Sequence, residues 1–478
     1  MTTAPTAGTI STSQTPRVFE SDDSPADGRL LSLLEERVRD ADLVAPPVVL
    51  PDFLHKEDME MPSSITVATR DTIRSTFTSS SVNCGMALIA LDIERPRVEA
   101  IADFYRRVRE RYPWPPKKRL ELSTNDVLRC AREGASFAVD RYGLDAEELE
   151  RIEEGGCLDV DRYGGADRVG RELPWMTQQL ARMRFGTIGP SNHFIELQQV
   201  EEVFDAPVAA RLGVQLGQLT LQYHGGGGVL AGQVGRLFGR RQKIARKVRW
   251  QMAVQKPIHH FGSARSLDEL RLRKALYFAS GVPIPRNGPE GERFMLANAA
   301  AMNYGFAFRA ATYAGLMSLA NQAFGPTGGR LVVDSPHNSI YEEEVDGASA
   351  IVHRHNSCRA YPASRMPANT VFGEVGQATL LPGTSRTSSY LCVADEGASE
   401  SLYSACHGAG SIISDFAESG KSQLDPMGRT TVRFAYSDEA PSEVPQLDDR
   451  GVDEALAILT ENGLSRPVAR LRPLAVLR

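Results

Sequence analysis

The pattern of apolar and polar positions divides the chain into a short first segment and a long remainder. Residues 1 to 28 are rich in Thr, Ser, Pro and Asp and contain few large apolar side chains. Such a segment cannot bury enough apolar surface to offset the entropy lost on ordering, so we predict a disordered N-terminal tail. From Leu30 onward the pattern is that of a folded protein, and no clear linker interrupts it. We expect one large domain over residues 29–478.

Helical and strand-like patterns both occur in this domain. Residues 98 to 112 mix apolar and charged positions at helical spacing, Ser123 could cap a helix that runs through Ala135, and residues 288 to 325 form one long helical stretch. After residue 185, short apolar runs alternate with glycine-rich turns, as strands do. The predicted strands are residues 194–200, 214–223, 331–333, 350–353, 378–381 and 389–393. The fold class is therefore mixed α/β.

Composition places the chain among soluble proteins with a core. Hydrophobic residues make up 42% and charged residues 24%, which excludes overall disorder, collagen and coiled coil. Residues 306 to 324 contain Arg309, Asn321 and Gln322, so we interpret them as a buried or amphipathic helix and not as a membrane span. The six cysteines are widely spaced, which favours a reducing, cytoplasmic setting over a disulfide framework. The N-terminus lacks the cationic start followed by an apolar run that would indicate a signal peptide.

Charge is acidic overall but locally concentrated. The formal net charge of −6 excludes a global basic field for nucleic acid. Residues 236 to 250 nevertheless hold seven basic residues and no acidic one. If helical, this stretch would present a positive face with Phe238 and Trp250 nearby, which suits contact with a phosphate backbone. The alternative is a solvated helix face balanced by acidic residues elsewhere.

Four of the nine histidines lie in polar or glycine-flanked positions at or beside the ends of predicted strands: His193, His224, His337 and His407. Cys84 lies in a similar context. Thiolate and imidazole together form a ligand set for a borderline divalent metal. A lone histidine beside glycine is more often a capping or core residue, and spacing alone does not show that these side chains converge. The glycine run 225–228 could expose backbone N–H groups to a phosphate or could be a turn, and it lacks the lysine of a P-loop.

Several strings after residue 184 resemble one family. They are Ser404-Ala-Cys-His-Gly-Ala-Gly410, Gly186-Thr-Ile-Gly-Pro-Ser-Asn-His-Phe-Ile-Glu196, Asp334-Ser-Pro-His-Asn338, His353-Arg354 with Arg359-Ala-Tyr-Pro362, Leu381-Pro-Gly383 before Thr387 to Tyr390, and Leu471-Arg-Pro-Leu-Ala-Val-Leu-Arg478. These ordered matches resemble the RtcB-type RNA-splicing ligases, and the likeness runs from about Cys84 to Arg478. The resemblance implies a single mixed α/β domain whose packed sheets surround a deep, metal-lined cleft.

The resemblance also implies a reaction. His407 would attack the α-phosphate of GTP, expel pyrophosphate and form a histidine–GMP intermediate. GMP would then pass to an RNA 3′-phosphate, which the family first generates from a 2′,3′-cyclic phosphate. A 5′-hydroxyl end would finally attack and release GMP. RNA with these ends would be the substrate, and a small activator of the archease type assists many members of the family.

Cofactor residues follow from the same resemblance. Cys84 would bridge two manganese ions, and three histidines would complete the ligand set: His193, His224 and His337. Four positions match residues near the nucleotide: Asn192, Glu196, Asn338 and Ser385. Arg478 falls where the family ends in a lysine that contacts guanine.

Departures from the family pattern predict a divergent paralogue. Ser81 replaces an acidic metal ligand, so one or two metal ions remain open alternatives. Gly228 and Ser411 stand where the family has arginines, and His355 stands where it has a lysine. Residues 61 to 81 lack the usual proline–aspartate–histidine pattern. Two other functions therefore stay open: an enzyme that self-guanylylates or processes RNA ends without sealing them, and a catalytically silent RNA-end binder.

Overall fold

The predicted strands form in a computed structural model that describes residues 15–57, 59–115, 120–189, 192–241, 244–278, 282–437 and 439–478. The strands are β1 Arg17–Val18, β2 Val48–Val49, β3 Ile65–Thr69, β4 Thr72–Ile73, β5 Gly85–Leu91, β6 Phe194–Val203, β7 Leu219–Gly225, β8 Ile284–Pro285, β9 Gly329–Pro336, β10 Asn338–Val345, β11 Ala348–His355, β12 Ser357–Arg359, β13 Ala378–Leu381, β14 Ser389–Ala394, β15 Ser404–Cys406, β16 Thr430–Phe434, β17 Ser442–Pro445 and β18 Ser465–Leu477. All six predicted strand positions are confirmed, although β7 begins at Leu219 because α7 and a turn occupy the residues before it.

The predicted helices are also confirmed. The helices are α1 Gly28–Val38, α2 Val98–Arg111, α3 Thr124–Glu133, α4 Ser136–Tyr142, α5 Ala166–Glu172, α6 Trp175–Ala181, α7 Ala206–Leu212, α8 Gly228–Leu237, α9 Arg246–Gly262, α10 Leu267–Phe278, α11 Pro289–Phe324, α12 Val371–Val375, α13 Gly410–Glu418 and α14 Arg450–Glu461. Short 3₁₀ turns cover Ser75–Phe77, Ala146–Arg151, Glu153–Gly156, Asp161–Tyr163, Ala363–Arg365 and Glu396–Ser401. Ser123 caps α3 in a reciprocal box with Asp126, as its position predicted.

Two sheets organise the mixed α/β fold. The larger sheet has the order β13-β14-β18-β6-β7-β5-β9, with β16 beside β18 and β17 beside β16. The smaller sheet has the order β1-β2-β3-β11-β10, and the pairs β12–β15 and β4–β8 stand apart from both. The larger sheet contains both β5 and β18, so it joins strands that are far apart in the sequence.

Strand β5 is buried on both faces of the larger sheet. Ala87, Ile89 and Leu91 face a core that α2, α3, α8 and α11 complete, and the alternating Met86, Leu88 and Ala90 face a second core. Helix α11 is apolar around its circumference and is buried over most of its length, as expected for a core helix. The interpretation of residues 306 to 324 as a buried helix is confirmed. Among the described residues, none of the helices combines the length and apolar character needed to cross a membrane.

The predicted tail requires a correction. Residues 1–14 lie outside the described residues, but Arg17 and Val18 pair in parallel with Val48 and Val49, and Phe19 is buried. Arg17 also forms an ion pair with Glu400. The prediction was wrong for this part of the segment because a short strand can gain its hydrogen bonds from a sheet edge, which local composition does not reveal.

Candidate active site

Antiparallel pairing gathers the predicted ligands at one edge of the larger sheet. His224 on β7 lies opposite Met86 on β5 and opposite Phe194 on β6, so Cys84 and His193 lie just beyond those neighbours. Gly85 lies opposite Pro336, which places His337 beside the same edge. A strand start and a strand end meet here because neighbouring strands run in opposite directions. The predicted convergence of Cys84 with the histidines is therefore a consequence of register.

Cys84, His224 and His337 form a buried group of potential metal ligands. One ligand atom from each lies within 4.8 Å of the others. Cys84 Sγ lies 3.3 Å from His224 Nε2 and 3.7 Å from His193 Nε2. The ring centroids of His193 and His337 each lie 4.9 Å from that of His224. A thiolate with two imidazoles, and a third imidazole beside it, suits a borderline divalent ion.

The surroundings hold these donors in a ligating form. His224 Nδ1–H donates to the Asn192 carbonyl at 2.8 Å, which leaves Nε2 with its lone pair toward Cys84. Burial lowers the pKa of His224 and of His337 well below the usual value, so both rings are neutral. Burial raises the pKa of the Cys84 thiol to about 11, although the Arg309 guanidinium opposes the rise. A bound dication would deprotonate this thiol, since metal coordination outweighs such a shift.

His407 projects into the same site from the end of β15. The pairing of Ser357 with Cys406 brings β15 against β12, and the ring centroids of His407 and His337 lie 4.6 Å apart. Burial lowers the pKa of His407, whereas the charge of Asp52 and a hydrogen bond with the Asn356 backbone oppose this effect. The ring is therefore neutral at pH 7 and keeps a nucleophilic lone pair.

Asp52 is a site residue that the sequence reasoning missed. It is buried, has a positive φ of 67° and accepts hydrogen bonds from the backbone N–H and the Oγ of Ser411, at 2.7 and 2.6 Å. The order proline, aspartate, histidine does occur at Pro51, Asp52 and His55, upstream of the residues 61–81 in which the pattern is absent. That string could have identified Asp52.

A cleft of about 690 Å³ opens above these groups. Its walls include Asp52, Ser81, Cys84, Asn192, His193, His224, His337, Asn338, His355, Asn356, His407 and Ser411. Three cations also line it, Lys56, Arg236 and Arg241. Arg241 is buried and donates to the carbonyls of Ser75 and Thr78 and to Glu60, so it is a structural cation. Lys56 is exposed, and its positive charge contributes to the lowered pKa of His407. Lys56 is therefore within electrostatic reach of the candidate nucleophile.

The residues predicted near the nucleotide divide into two groups. Asn192 and Asn338 line the cleft. Glu196 and Arg478 lie outside the lining but within electrostatic reach of each other, since β6 pairs with the end of β18. Ser385 lies in the loop between β13 and β14, whose Pro382 and Gly383 do line the cleft.

A chain of hydrogen bonds ties this loop to Glu196. Gln198 Nε2 donates to Glu196 Oε1 at 2.7 Å and to Ser389 Oγ at 3.1 Å. The Gly383 N–H in turn donates to the same Ser389 hydroxyl at 3.1 Å. Hydrogen bonds therefore link Glu196 through Gln198 and Ser389 to the loop that carries Ser385.

Replacing Glu196 with glutamine is expected to stabilise the protein increasingly as the pH rises. Burial raises the pKa of Glu196 to about 8, whereas the unfolded carboxyl titrates near 4.5. Between these values the folded state binds the extra proton, so the carboxyl costs stability progressively from pH 4.5 to pH 8. The variant should gain up to about 4 kcal/mol at pH 8 and almost nothing at pH 4.5. Urea unfolding at both pH values measures this, and an equal effect at the two would contradict the assignment.

Comparison with known proteins decides the family. The model of the family described as tRNA-splicing ligase RtcB matches residues 39–478. The chain belongs to the RtcB family. It is 30% identical over 426 residues to a tRNA-splicing ligase RtcB of Pyrococcus furiosus, which covers 83% of this chain and 40% of that protein. It is 29% identical to the tRNA-splicing ligase RtcB of Thermococcus kodakarensis, over 83% of this chain and 80% of the relative. It is 28% identical to an RNA-splicing ligase RtcB of Mycobacterium bovis, over 83% and 88%. The chain thus spans less than half the length of the first relative.

The structure explains one departure from the RtcB pattern. Gly228 begins α8 with a positive φ of 70°, and a Cβ at this position would lie 2.7 Å from a ring carbon of Tyr304 and 3.1 Å from one of Phe308. The packing of α11 therefore excludes an arginine at this position. Ser81 lines the cleft, and its hydroxyl hydrogen-bonds Cys84.

The basic stretch 236–250 is not one helix. Helix α8 ends at Leu237 and α9 begins at Arg246. Phe238 is buried and packs against His259, His260, Tyr277 and Phe294, so it belongs to the core. Arg240, Arg246, Arg249 and Trp250 are exposed, whereas Arg241 is buried. The single helix on which the predicted positive face depended is not formed, because Phe238 packs into the core and Arg241 is held by buried hydrogen bonds.

Proposed function

We propose that this RtcB-family protein is a GTP-dependent RNA ligase. It joins RNA 3′-phosphate or 2′,3′-cyclic phosphate ends to 5′-hydroxyl ends through a GMP adduct of His407. The observation that carries the proposal is the position of the neutral His407 ring, whose centroid lies 4.6 Å from that of His337 within the Cys84–His224–His337 donor group. A nucleophile beside a metal-ligand set in a polar cleft suits nucleotidyl transfer.

In the first step, the unprotonated nitrogen of His407 attacks the α-phosphorus of GTP. An N–P bond forms, the bond from the α-phosphorus to the bridging oxygen breaks, and pyrophosphate leaves. The ring becomes cationic during the attack, and the buried Asp52 carboxylate stabilises that charge. The hydrogen bond with the Asn356 backbone fixes the orientation of the ring. Lys56 and Arg236 supply positive charge toward the phosphates from the wall of the cleft.

The donor group fits one divalent ion, and manganese is the ion we propose. Cys84, His224 and His337 would hold it, and it would neutralise phosphate charge as a Lewis acid. His193 and Cys84 would offer two ligands to a second ion. Ser81 supplies a neutral hydroxyl in place of a carboxylate there, which is a weak ligand for a hard dication.

In the later steps, GMP passes from His407 to an oxygen of the RNA 3′-phosphate, and the N–P bond breaks. The 5′-hydroxyl oxygen of the second RNA end then attacks the 3′-phosphorus, and GMP leaves. Asn192, Glu196, Asn338, Ser385 and Arg478 are the residues we assign to the nucleotide. An activator of the archease type would act as a protein partner of this cycle.

A second candidate function is self-guanylylation without sealing. Two observations favour it, namely Ser81 at the position of a charged ligand and Gly228 at a position from which packing excludes an arginine. Under this alternative the first step proceeds and the last does not.

One experiment with wild-type protein separates these functions. The protein is incubated with α-labelled GTP and Mn²⁺, and two RNAs are then added, one ending in a 3′-phosphate and one beginning with a 5′-hydroxyl. Labelled protein and joined RNA support the ligase. Labelled protein without joined RNA supports the second candidate, and Ser81→Asp should then increase joining if the missing carboxylate is the cause. The absence of label with GTP, with ATP and with other divalent ions would contradict both.

A further inference from the structure

All three tryptophans of this protein are exposed. Trp114 is 41% exposed, Trp175 72% and Trp250 70%. Tryptophan is usually highly buried, because its indole ring carries a large apolar surface. Rings left in contact with solvent on a protein whose proposed substrate is RNA call for a reason, since exposed aromatic faces are platforms on which bases stack.

The first tryptophan lies beside the active site. The Arg184 guanidinium stacks over the Trp114 ring at 4.6 Å from its centroid. Both side chains pack against Gly189, where a Cβ would lie 2.9 Å from Trp114 and 3.4 Å from Arg184. Gly189 comes shortly before Asn192 and His193, which line the cleft. A planar cation and an aromatic ring thus flank the cleft on the side of His193.

Helix α6 lies between the second tryptophan, Trp175, and Arg184 in the sequence. It ends at Ala181, three residues before Arg184, and Trp175 is its first residue. Seven residues of helix span about 10 Å. Next to Trp175, Thr177 Oγ1 donates to Gln255 on α9 at 2.9 Å, and Glu172 lies 3.4 Å from His259 on the same helix. Helix α6, which begins at Trp175, therefore packs beside α9.

Helix α9 carries the third tryptophan, and its polar side chains face the protein while apolar side chains face solvent. Its inward face is polar and is held by hydrogen bonds, such as those of Lys256 Nζ to the carbonyls of Arg236 and Gly239 at 3.2 and 2.6 Å. Its outward face presents Trp250, Val254 and Ile258 to solvent. Arg246 and Arg249 are exposed on the same helix, and Arg240 is exposed on the segment before it.

The charge around α9 selects a polyanion as the occupant. No Asp or Glu occurs between residues 206 and 267. Among the described cations of this segment, Arg240, Arg246 and Arg249 are exposed on or just before α9. Arg236 and Arg241 from the same segment line the cleft itself. Cations that track a backbone, combined with aromatic side chains that stack bases, are the two elements of single-strand recognition.

We infer that single-stranded RNA follows a tryptophan path, defined as Trp114 with Arg184, then Trp175, then Trp250 with Arg246 and Arg249. This inference rests on the proposed function, since it guides a single-stranded RNA end into the ligase cleft. Bases stack on the three indole rings, and the arginines contact the phosphates. Only the nucleotides nearest the reacting end contact the cleft, so the path contributes to the binding of long RNA and not of very short RNA.

The test compares RNA binding by the double variant Trp175→Ala/Trp250→Ala and by wild-type protein. The probes are labelled single-stranded RNAs with a 3′-phosphate, one of about twelve nucleotides and one of about three. The double variant should bind the long RNA at least about tenfold more weakly and the short RNA equally well. Trp175→Phe/Trp250→Phe should retain most of the affinity, because phenylalanine also stacks. Leu424→Ala/Met427→Ala, which alters two exposed apolar side chains elsewhere, is the matched control and should change neither affinity.

A second variant tests the phosphate contacts. Arg246→Gln/Arg249→Gln should reduce the salt dependence of long-RNA affinity by about 1.4 in the slope of log K against log salt concentration, since two phosphate contacts are lost. Equal long-RNA affinity in the tryptophan variant and wild-type protein would overturn the path. So would a shift of wild-type protein to a dimer that the tryptophan variant lacks, with RNA binding unaffected, because α9 would then be a protein contact. Guanylylation of wild-type protein is measured in parallel, and its failure would contradict the proposed function while leaving the RNA comparison readable.

Discussion

Replacing His407 with alanine is expected to abolish covalent labelling of the protein by α-labelled GTP. The reason is that the other described rings of the cleft are engaged elsewhere: His193, His224 and His337 are directed at Cys84 or at one another, and His355 Nδ1 hydrogen-bonds the Pro62 carbonyl. The measurement is retention of label on a denaturing gel. The label on wild-type protein should also be lost in acid and persist in base, as expected for a bond between phosphorus and imidazole nitrogen.

Asp52→Asn is the companion to this variant. It keeps the shape of the side chain and one acceptor for Ser411, but it removes the charge that stabilises the cationic ring. Labelling should slow by about 10²-fold, within the range seen when one stabilising group is removed from a transition state. Label that persists in His407→Ala would place the nucleophile elsewhere, and Lys56 on the same wall would be the next residue to replace.

Replacing Arg309 with methionine is expected to destabilise the protein and weaken metal binding together. Arg309 on α11 is fully buried, and its Nε donates to Asp334 Oδ1 at 2.7 Å. Its Nη1 donates to the side-chain and backbone oxygens of Asn83, the residue before Cys84. Removal would leave a buried carboxylate unpaired, which typically costs about 3 to 5 kcal/mol. Urea unfolding measures the loss.

The metal readout distinguishes positioning from stability alone. Asn83 has a positive φ of 57°, so its backbone depends on the hydrogen bonds from Arg309 to present Cys84 at the sheet edge. Loss of the guanidinium also removes the charge that opposes the raised pKa of the Cys84 thiol. Affinity for Mn²⁺ should fall by about 10- to 100-fold under conditions where the variant stays folded.

A matched control and a second variant complete the Arg309 test. Arg271→Met removes an exposed arginine whose partner Asp268 is also exposed, and it should cost less than about 1 kcal/mol. Arg309→Met/Asp334→Leu removes both charges and should recover part of the stability, because the unpaired carboxylate is gone. Full metal affinity in the single variant would contradict the positioning role.

Local sequence signals located the regular elements with good accuracy. Ser123 and Asp126 define the start of α3 because a capping box depends only on residues close in sequence. The apolar, glycine-bounded runs of β13 and β14 are strands within one residue of the prediction. For the basic stretch 236–250 a positive face was predicted only on the condition that it is helical, and sequence spacing does not reveal that Phe238 is buried in the core.

Local sequence signals predicted only part of the candidate site. Strings such as Ser404 to Gly410 identified His407, Cys84 and three histidines as residues of interest, but Asp52 was overlooked, and Arg184 with its stacked Trp114 carried no motif. Arg309 was considered only as evidence against a membrane span, since nothing in its neighbours shows that it contacts Asn83 and Asp334.

The sequence by itself determined the fold class, most element positions, the family and the residue types of the site. These properties depend on local periodicity, capping and motif order, which are contained in neighbouring residues. The tertiary structure decided which residues meet. The antiparallel register of β5, β6, β7 and β9 brings Cys84, His193, His224 and His337 together, and the pairing of β12 with β15 adds His407. Register depends on contacts between residues that are distant in sequence, such as Gly85 with Pro336, and local sequence does not encode them.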